Sequence, residues 1–218
     1  MNIPEFKGQL RHSVIEVPEC IEKVSGIRIF GRLIRSLIFT TDVAIIRNNN
    51  ADAVIAVYPF TPQPSITHAI MMASEAPVLC GVGGGTTTGQ RVVNLAMDAE
   101  FQGAFGVVVN APTVNETIIK LKAVIDIPIV LTVVSGSTDV KARIDAGADI
   151  LNISAAAQTP AIVADIRAKF PNVPLIATGG PTIESIEATI AAGANAITYT
   201  PPTSAKLFQE LMAKYRAE

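Results

Sequence analysis

Twelve residues, CGVGGGTTTGQR (80–91), gather five glycines, three threonines and an arginine between an apolar stretch and one of helical spacing. Backbone amides approach an anion closely where side chains are missing, and a helix N-terminus adds partial positive charge, so such a loop suits a phosphate. It matches neither common nucleotide loop. No lysine follows the last glycine, and Thr86 stands where a dinucleotide fingerprint that began at Gly81 and Gly83 would need its third glycine. Ligand contact through Gly83, Gly84, Gly85 and Thr86 competes with two plainer readings, a mobile lid and a structural bend. Ordering five glycines costs conformational entropy, which favours the ligand. A second stretch, IATGGPTIESIEATIAAGANAITYTPPTSA (176–205), offers the amides of Gly179 and Gly180 and then the hydroxyls of Thr203 and Ser204 at the next helix start, again an arrangement suited to an anion. A plain turn with a helix cap is its alternative.

Groups able to move protons are few. Asp42, in TTDVAI, either caps the following helix or serves as a general base. Asn110 and Asn152 can polarise a carbonyl, Ser154 can bind a substrate oxygen, and Tyr58 is either a proton donor or a rim aromatic. Cys80 has no histidine assigned beside it and reads better as a buried thiol than as a nucleophile. His12 and His68 are isolated, without HxH or HExxH spacing, so neither a metal nor another cofactor is expected.

The elements that position these residues follow from composition and periodicity. The chain has 218 residues, 49% hydrophobic and 17% charged, with no tryptophan and a net charge of -2. That balance suits one tightly buried α/β domain over residues 1–218 and gives no electrostatic reason to expect nucleic acid. Two cysteines without CxxC spacing define no disulfide framework, which fits a reducing cytoplasm; the N-terminus lacks an apolar signal core, and no apolar run reaches membrane-spanning length, so no membrane is expected as a partner. The apolar composition leads to the expectation of a homo-oligomer.

Short runs rich in Val and Ile, near 34–39, 53–58, 77–81, 105–109, 128–133, 149–153, 174–177 and 195–199, alternate with segments of helical spacing. Most of these runs are apolar throughout, as strands buried on both faces are, and the connections are long enough for crossover helices. Eight such units predict a closed (β/α)8 TIM barrel in preference to an open doubly wound sheet. DAGADILNIS (145–154) and AAGANAITYT (191–200) repeat one construction, in which Gly147 and Gly193 end a helix in the left-handed conformation. Thr113 with Glu116 fits a capping box, and Thr159 a cap before Pro160. Residues 1–26 are read as an N-terminal extension, with a short helix at 18–25 covering the barrel's bottom. In such barrels the active site lies at the C-terminal strand ends, where Thr40, Thr41, Thr132, Ser135, Thr198 and Thr200 join the residues above.

The 176–205 stretch resembles the seventh and eighth units of phosphate-binding aldolase-type barrels, including 2-keto-3-deoxy-6-phosphogluconate aldolase, in its Gly-Gly turn and in the AGA before the last strand. The resemblance implies phosphate at Gly179, Gly180, Thr203 and Ser204. Thr200-Pro201-Pro202-Thr203 replaces the usual Gly-Ser pair, and each proline removes an amide donor. The family's Schiff-base chemistry needs an inward lysine on a strand. Here Lys120, Lys122, Lys141, Lys169, Lys206 and Lys214 fall on predicted helices and Asn152 sits near the lysine's place, so the scaffold is kept and that mechanism is not. The glycine loop is also similar to the GxGxGS monophosphate loop of inosine-monophosphate dehydrogenase, without that family's cysteine. The resulting expectation is a lyase or isomerase acting on a small phosphorylated metabolite, a sugar or keto acid. A non-catalytic metabolite-binding or regulatory barrel is the alternative, and hydrolysis has no GxSxG elbow to support it.

Overall fold

The computed structural model describes residues 14–217 together with Pro4, Phe6 and Gly8. The chain first lays down an antiparallel hairpin, β1 (Ile27–Ile29) and β2 (Arg32–Ile34). Its two turn residues, Phe30 and Gly31, both have positive φ, 43° and 81°, the twist that lets a two-residue turn join strands closely. The hairpin was not anticipated. The run at 34–39 straddles the end of β2 and the start of β3, and Phe-Gly is a weaker turn signal than Asn-Gly.

Eight parallel strands then close into a barrel: β3 (Ser36–Phe39), β4 (Ala53–Ala56), β5 (Val78–Gly83), β6 (Gly106–Val109), β7 (Ile129–Val133), β8 (Ile150–Ile153), β9 (Leu175–Thr178) and β10 (Ala196–Tyr199), which returns to pair with β3. The crossovers carry α1 (Val43–Arg47), α2 (Pro64–Ala73), α3 (Gln90–Phe101), α4 (Asn115–Lys122), α5 (Val140–Asp145), α6 (Thr159–Lys169) and α7 (Ile183–Ala191), and α8 (Ser204–Ala217) follows β10. The closed barrel expected from the sequence is therefore what the chain forms.

Strand alternation divides the apolar residues between two cores. Ile38, Val54, Cys80, Val107, Leu131, Leu151, Ala177 and Ile197 face outward into the helices. Leu37, Ile55, Leu79, Val108, Val130, Ile150 and Ile176 face inward, where Ile27, Ile29 and Ile34 of the hairpin join them. The hairpin lies at the N-terminal ends of the strands: Phe30 meets Phe105, the residue before β6, edge to face at 5.4 Å. It thus stoppers the barrel's bottom.

The segment before it runs outside. Ile15 bridges to Asn49 just after α1, a 3-10 helix (Glu19–Lys23) packs on α7, and Gly26 donates to the Asn195 carbonyl at 2.8 Å. The expected helix at 18–25 is therefore a single 3-10 turn whose Ile21 enters the outer core, and not a cover across the bottom. His12 lies outside the described residues.

Gly147 and Gly193 end α5 and α7 with φ of 113° and 101°, as their repeated construction predicts. Two capping expectations fail. Thr113 hydrogen-bonds back to the Asn110 carbonyl instead of capping α4, whose N-cap is Val114, because its hydroxyl is drawn into the β6–α4 turn. Thr159 lies within α6 after the N-cap Gln158, and its hydroxyl accepts from the Ala155 amide. The last helix, α8, buries none of its residues, and Leu207, Phe208, Leu211, Met212 and Tyr215 are exposed along it. No helix among the described residues is long and apolar enough to cross a membrane.

Candidate functional site at the C-terminal mouth

Inward alternation fixes what lies above the apolar layer. Two residues beyond each inner apolar position, the strands present Phe39, Val57, Gly81 and Asn110 from β3–β6, and Thr132, Asn152, Thr178 and Thr198 from β7–β10. One half of this layer is thus nearly apolar and the other half is polar but uncharged. Asn152 is 8% exposed and Thr198 5%. The Asn152 amide Nδ2 donates to Thr132 Oγ1 at a long 3.4 Å, while Asn152 Oδ1 and Thr198 Oγ1 have no partner among the described residues. Two further buried atoms lack a partner among the described residues: Arg35 Nε, at the hairpin end, and Gln102 Oε1, just past α3.

The glycine loop is a packed corner. Gly84 donates to the Thr87 carbonyl at 2.8 Å and Asn110 donates to the Gly83 carbonyl at 2.9 Å. A Cβ on Gly84 would lie 2.0 Å from Thr113 Oγ1 and 2.8 Å from the Asn110 nitrogen, so this position demands glycine on steric grounds as well as for its φ of 102°. Arg143 of α5 holds the facing loop, donating to the carbonyls of Thr113 and Ala111 and to Asn115 Oδ1. Gly85 and Thr86 are exposed on top of this corner, and α3 begins beyond Gly89 without any side-chain cap.

Around the 179–180 turn, most donors already have acceptors. The Gly179 amide donates to the Thr198 carbonyl at 3.1 Å, and Thr182 with Ser185 forms a capping box on α7. Thr203 Oγ1 accepts from the Lys206 amide, and Ser204 Oγ donates to the Asp42 carboxylate. Asp42 also accepts from the Ala44 and Ile45 amides at the start of α1. The Ser204 hydroxyl, followed by these amides, holds its carboxyl below the usual carboxylate range despite some desolvation. Asp42 is therefore an ionised cap, with a negative charge beside the hydroxyl that the sequence assigns to phosphate.

Tyr58 Oη accepts from the Gln63 amide at 2.9 Å. With Phe60, Pro62, Gly83 and Asn110 it frames a cleft of only about 20 Å³ at the mouth. Ser154 is half-buried above Asn152, its amide donating to the Val133 carbonyl. A roomier cleft, about 210 Å³, lies outside the barrel between α5 and α6, but its Lys141 and Lys169 are paired with Asp145 and Asp165. Cys80 faces the outer core, where burial pushes its thiol up to about 12. Among the described residues no three His, Cys, Asp or Glu side chains converge as metal ligands. The structure brings Asn110, Gly83 and Gly84 together on one side and Asn152 with Ser154 on the other; Asp42 and Ser204 form a separate pair. Sequence reading included Thr132 and Thr198 at the rim without a role and passed over Thr178. Their signal was the inward alternation of VLTV, AIT and LIAT.

The fold defines a (β/α)8 barrel, and comparison with solved structures agrees. Similar structures include phosphonopyruvate hydrolase (TM-score 0.67, 17% identity, 86% of this chain and 83% of that one). Oxaloacetate acetylhydrolase gives TM-score 0.65 at 13% identity over 82% and 79% of the two chains. Phosphoenolpyruvate phosphomutase from Streptomyces platensis subsp. rosaceus gives 0.63 at 16% identity over 83% and 80%. These identities speak for the fold alone. None of the three is a 2-keto-3-deoxy-6-phosphogluconate aldolase, so the resemblance expected from residues 176–205 is corrected to the barrel architecture itself. No family model matches the chain, and no curated protein matches it in sequence.

Proposed function

We propose that this chain is a small-metabolite enzyme of the lyase or isomerase kind, whose substrate, a phosphorylated sugar or keto acid, enters the C-terminal mouth and reaches the layer of Thr132, Asn152, Thr178 and Thr198. One observation carries the reading: Asn152 Oδ1 and Thr198 Oγ1 are buried, inward-facing and unpartnered. An unsatisfied buried polar group costs roughly 1–3 kcal/mol, which a ligand bonded to both oxygens would recover. The names of two similar barrels, phosphonopyruvate hydrolase and phosphoenolpyruvate phosphomutase, lend support to a small phosphorylated or phosphonylated substrate. In this reading Asn110 polarises a carbonyl, Asn152 Oδ1 accepts from a substrate hydroxyl in place of the carbonyl-polarising role expected from its sequence, and Asp42 takes a proton once Ser204 has left it. The anionic end lies better over the glycine loop, where α3 starts uncapped with Arg91 in its first turn, than at 179–180, where Gly179 and Ser204 are already engaged.

Product analysis by NMR over a panel of phosphorylated sugars and keto acids tests this. Turnover of one member, with kcat/KM reduced about tenfold or more in Asn152→Leu, is expected if Oδ1 holds a substrate hydroxyl. Turnover indifferent to Asn152 and Thr198 would refute the site. A second reading, a metabolite-binding barrel without catalysis, draws on the engagement of the mouth's ionisable groups: Asp42 is a cap and Tyr58 Oη holds the Gln63 amide. Stabilisation by a ligand that is never converted would favour it.

A further inference from the structure

The unpaired atoms also discriminate between the two substrate classes. One Nδ2 hydrogen of Asn152 goes to Thr132, whereas its Oδ1, a pure acceptor, is buried without a partner and is satisfied only by a donor. Thr198 Oγ1, 5% exposed, can donate to one ligand oxygen and accept from another. Among the described residues, the inward layer around them holds no cation. A 2-keto acid would bring only acceptors to this place, setting carboxylate or carbonyl lone pairs against Asn152 Oδ1. A chain of hydroxyls would bring a hydrogen for Asn152 and a neighbouring oxygen for Thr198.

We infer that the deep end of the ligand is a hydroxyl-bearing carbon chain, so that the site takes a sugar or polyol phosphate and rejects a phosphorylated 2-keto acid. This rests on the mouth reading above and narrows it. Both oxygens are closed to solvent, so binding goes with displacement of the side chains above them. In the loop after β4, Phe60 is 73% exposed and Tyr58 Oη accepts from Gln63 of the same loop.

The test is calorimetry and thermal unfolding of the full chain with D-ribose 5-phosphate and D-sorbitol 6-phosphate against 3-phosphohydroxypyruvate, a phosphorylated 2-keto acid, with inorganic phosphate as the reference. At a hundred times Kd, a polyol phosphate should raise Tm by about 5 °C or more. Asn152→Leu and Thr198→Val should each weaken its binding about tenfold without altering the response to inorganic phosphate. Circular dichroism of both variants checks that they are folded. Tight 3-phosphohydroxypyruvate binding that Asn152→Leu weakens would mean that Nδ2 faces the ligand; the substrate class would then be wrong and the mouth reading would stand. Polyol phosphate binding that neither variant changes, or no binding beyond that of inorganic phosphate by either class, would overturn both.

Discussion

Thr198→Val should make this protein more stable. The substitution swaps a hydroxyl for a methyl of nearly the same shape on β10, a strand where β-branched residues fit well. Thr198 Oγ1 is buried without a hydrogen-bond partner, so its removal relieves a desolvation cost of roughly 1–3 kcal/mol. The added methyl contributes up to about 0.8 kcal/mol more by apolar burial. Taking about 1–2 kcal/mol as the net gain, and about 2–4 °C per kcal/mol for a chain of this size, Tm should rise by about 2–8 °C. Scanning calorimetry without ligand, alongside urea unfolding to confirm an unchanged m-value, measures it. A fall in Tm of 2 °C or more would show that the hydroxyl is satisfied within the unliganded fold, by a trapped water for instance. The reasoning that makes Thr198 a preformed ligand contact would then fail.

Other consequences are equally open to measurement. Asp42→Ala should cost about 1 kcal/mol at pH 7 through loss of the α1 cap. Because Ser204 and the cap amides lower the Asp42 pKa, its contribution is complete above the ordinary carboxylate pKa of 3.8 and disappears as pH falls through the folded value; the gap between wild type and variant in acid unfolding should therefore close below about pH 4. Gly84→Ala should destabilise by about 2 kcal/mol or more, since φ is 102° and the new Cβ would meet Thr113 and Asn110. Gly85→Ala, with only Asn110 Nδ2 at 4.0 Å, should stay within about 0.5 kcal/mol, and equal effects in chemical denaturation would contradict the packed corner. Cys80, its thiol pushed up to about 12 by burial, should resist a thiol reagent at pH 8 until the chain unfolds, while the half-buried Cys20 reacts first.

The barrel strands were legible because burial on both faces writes near-continuous apolar runs, each bracketed by a helix of different period. The hairpin was less legible: Ile-Arg-Ile alternates but Arg-Leu-Ile does not, the Phe30-Gly31 turn carries no polar signal, and the run continues straight into β3. At the mouth, the sequence marks which residues stand at strand ends. It does not reveal which donors are already engaged. Gly179 and Ser204 look free on paper because their acceptors, the Thr198 carbonyl and Asp42, are remote in the chain. Thr198 looked like one more rim hydroxyl. Only closure of the barrel, which sets its neighbours on β9 and β3, leaves that hydroxyl alone in the interior.

The strap formed by residues 15–26 bears on how the chain is made. It touches Asn49 beside α1 at one end and Glu187 and Asn195, around α7, at the other, thereby crossing the join between the first and last barrel strands. During synthesis its leading half can find Asn49 early, whereas the contacts of Lys23 and Gly26 must wait until nearly the whole barrel has emerged. The amino-terminal stitch is drawn tight only by the carboxyl-terminal units, so damage late in the chain loosens what was laid down first.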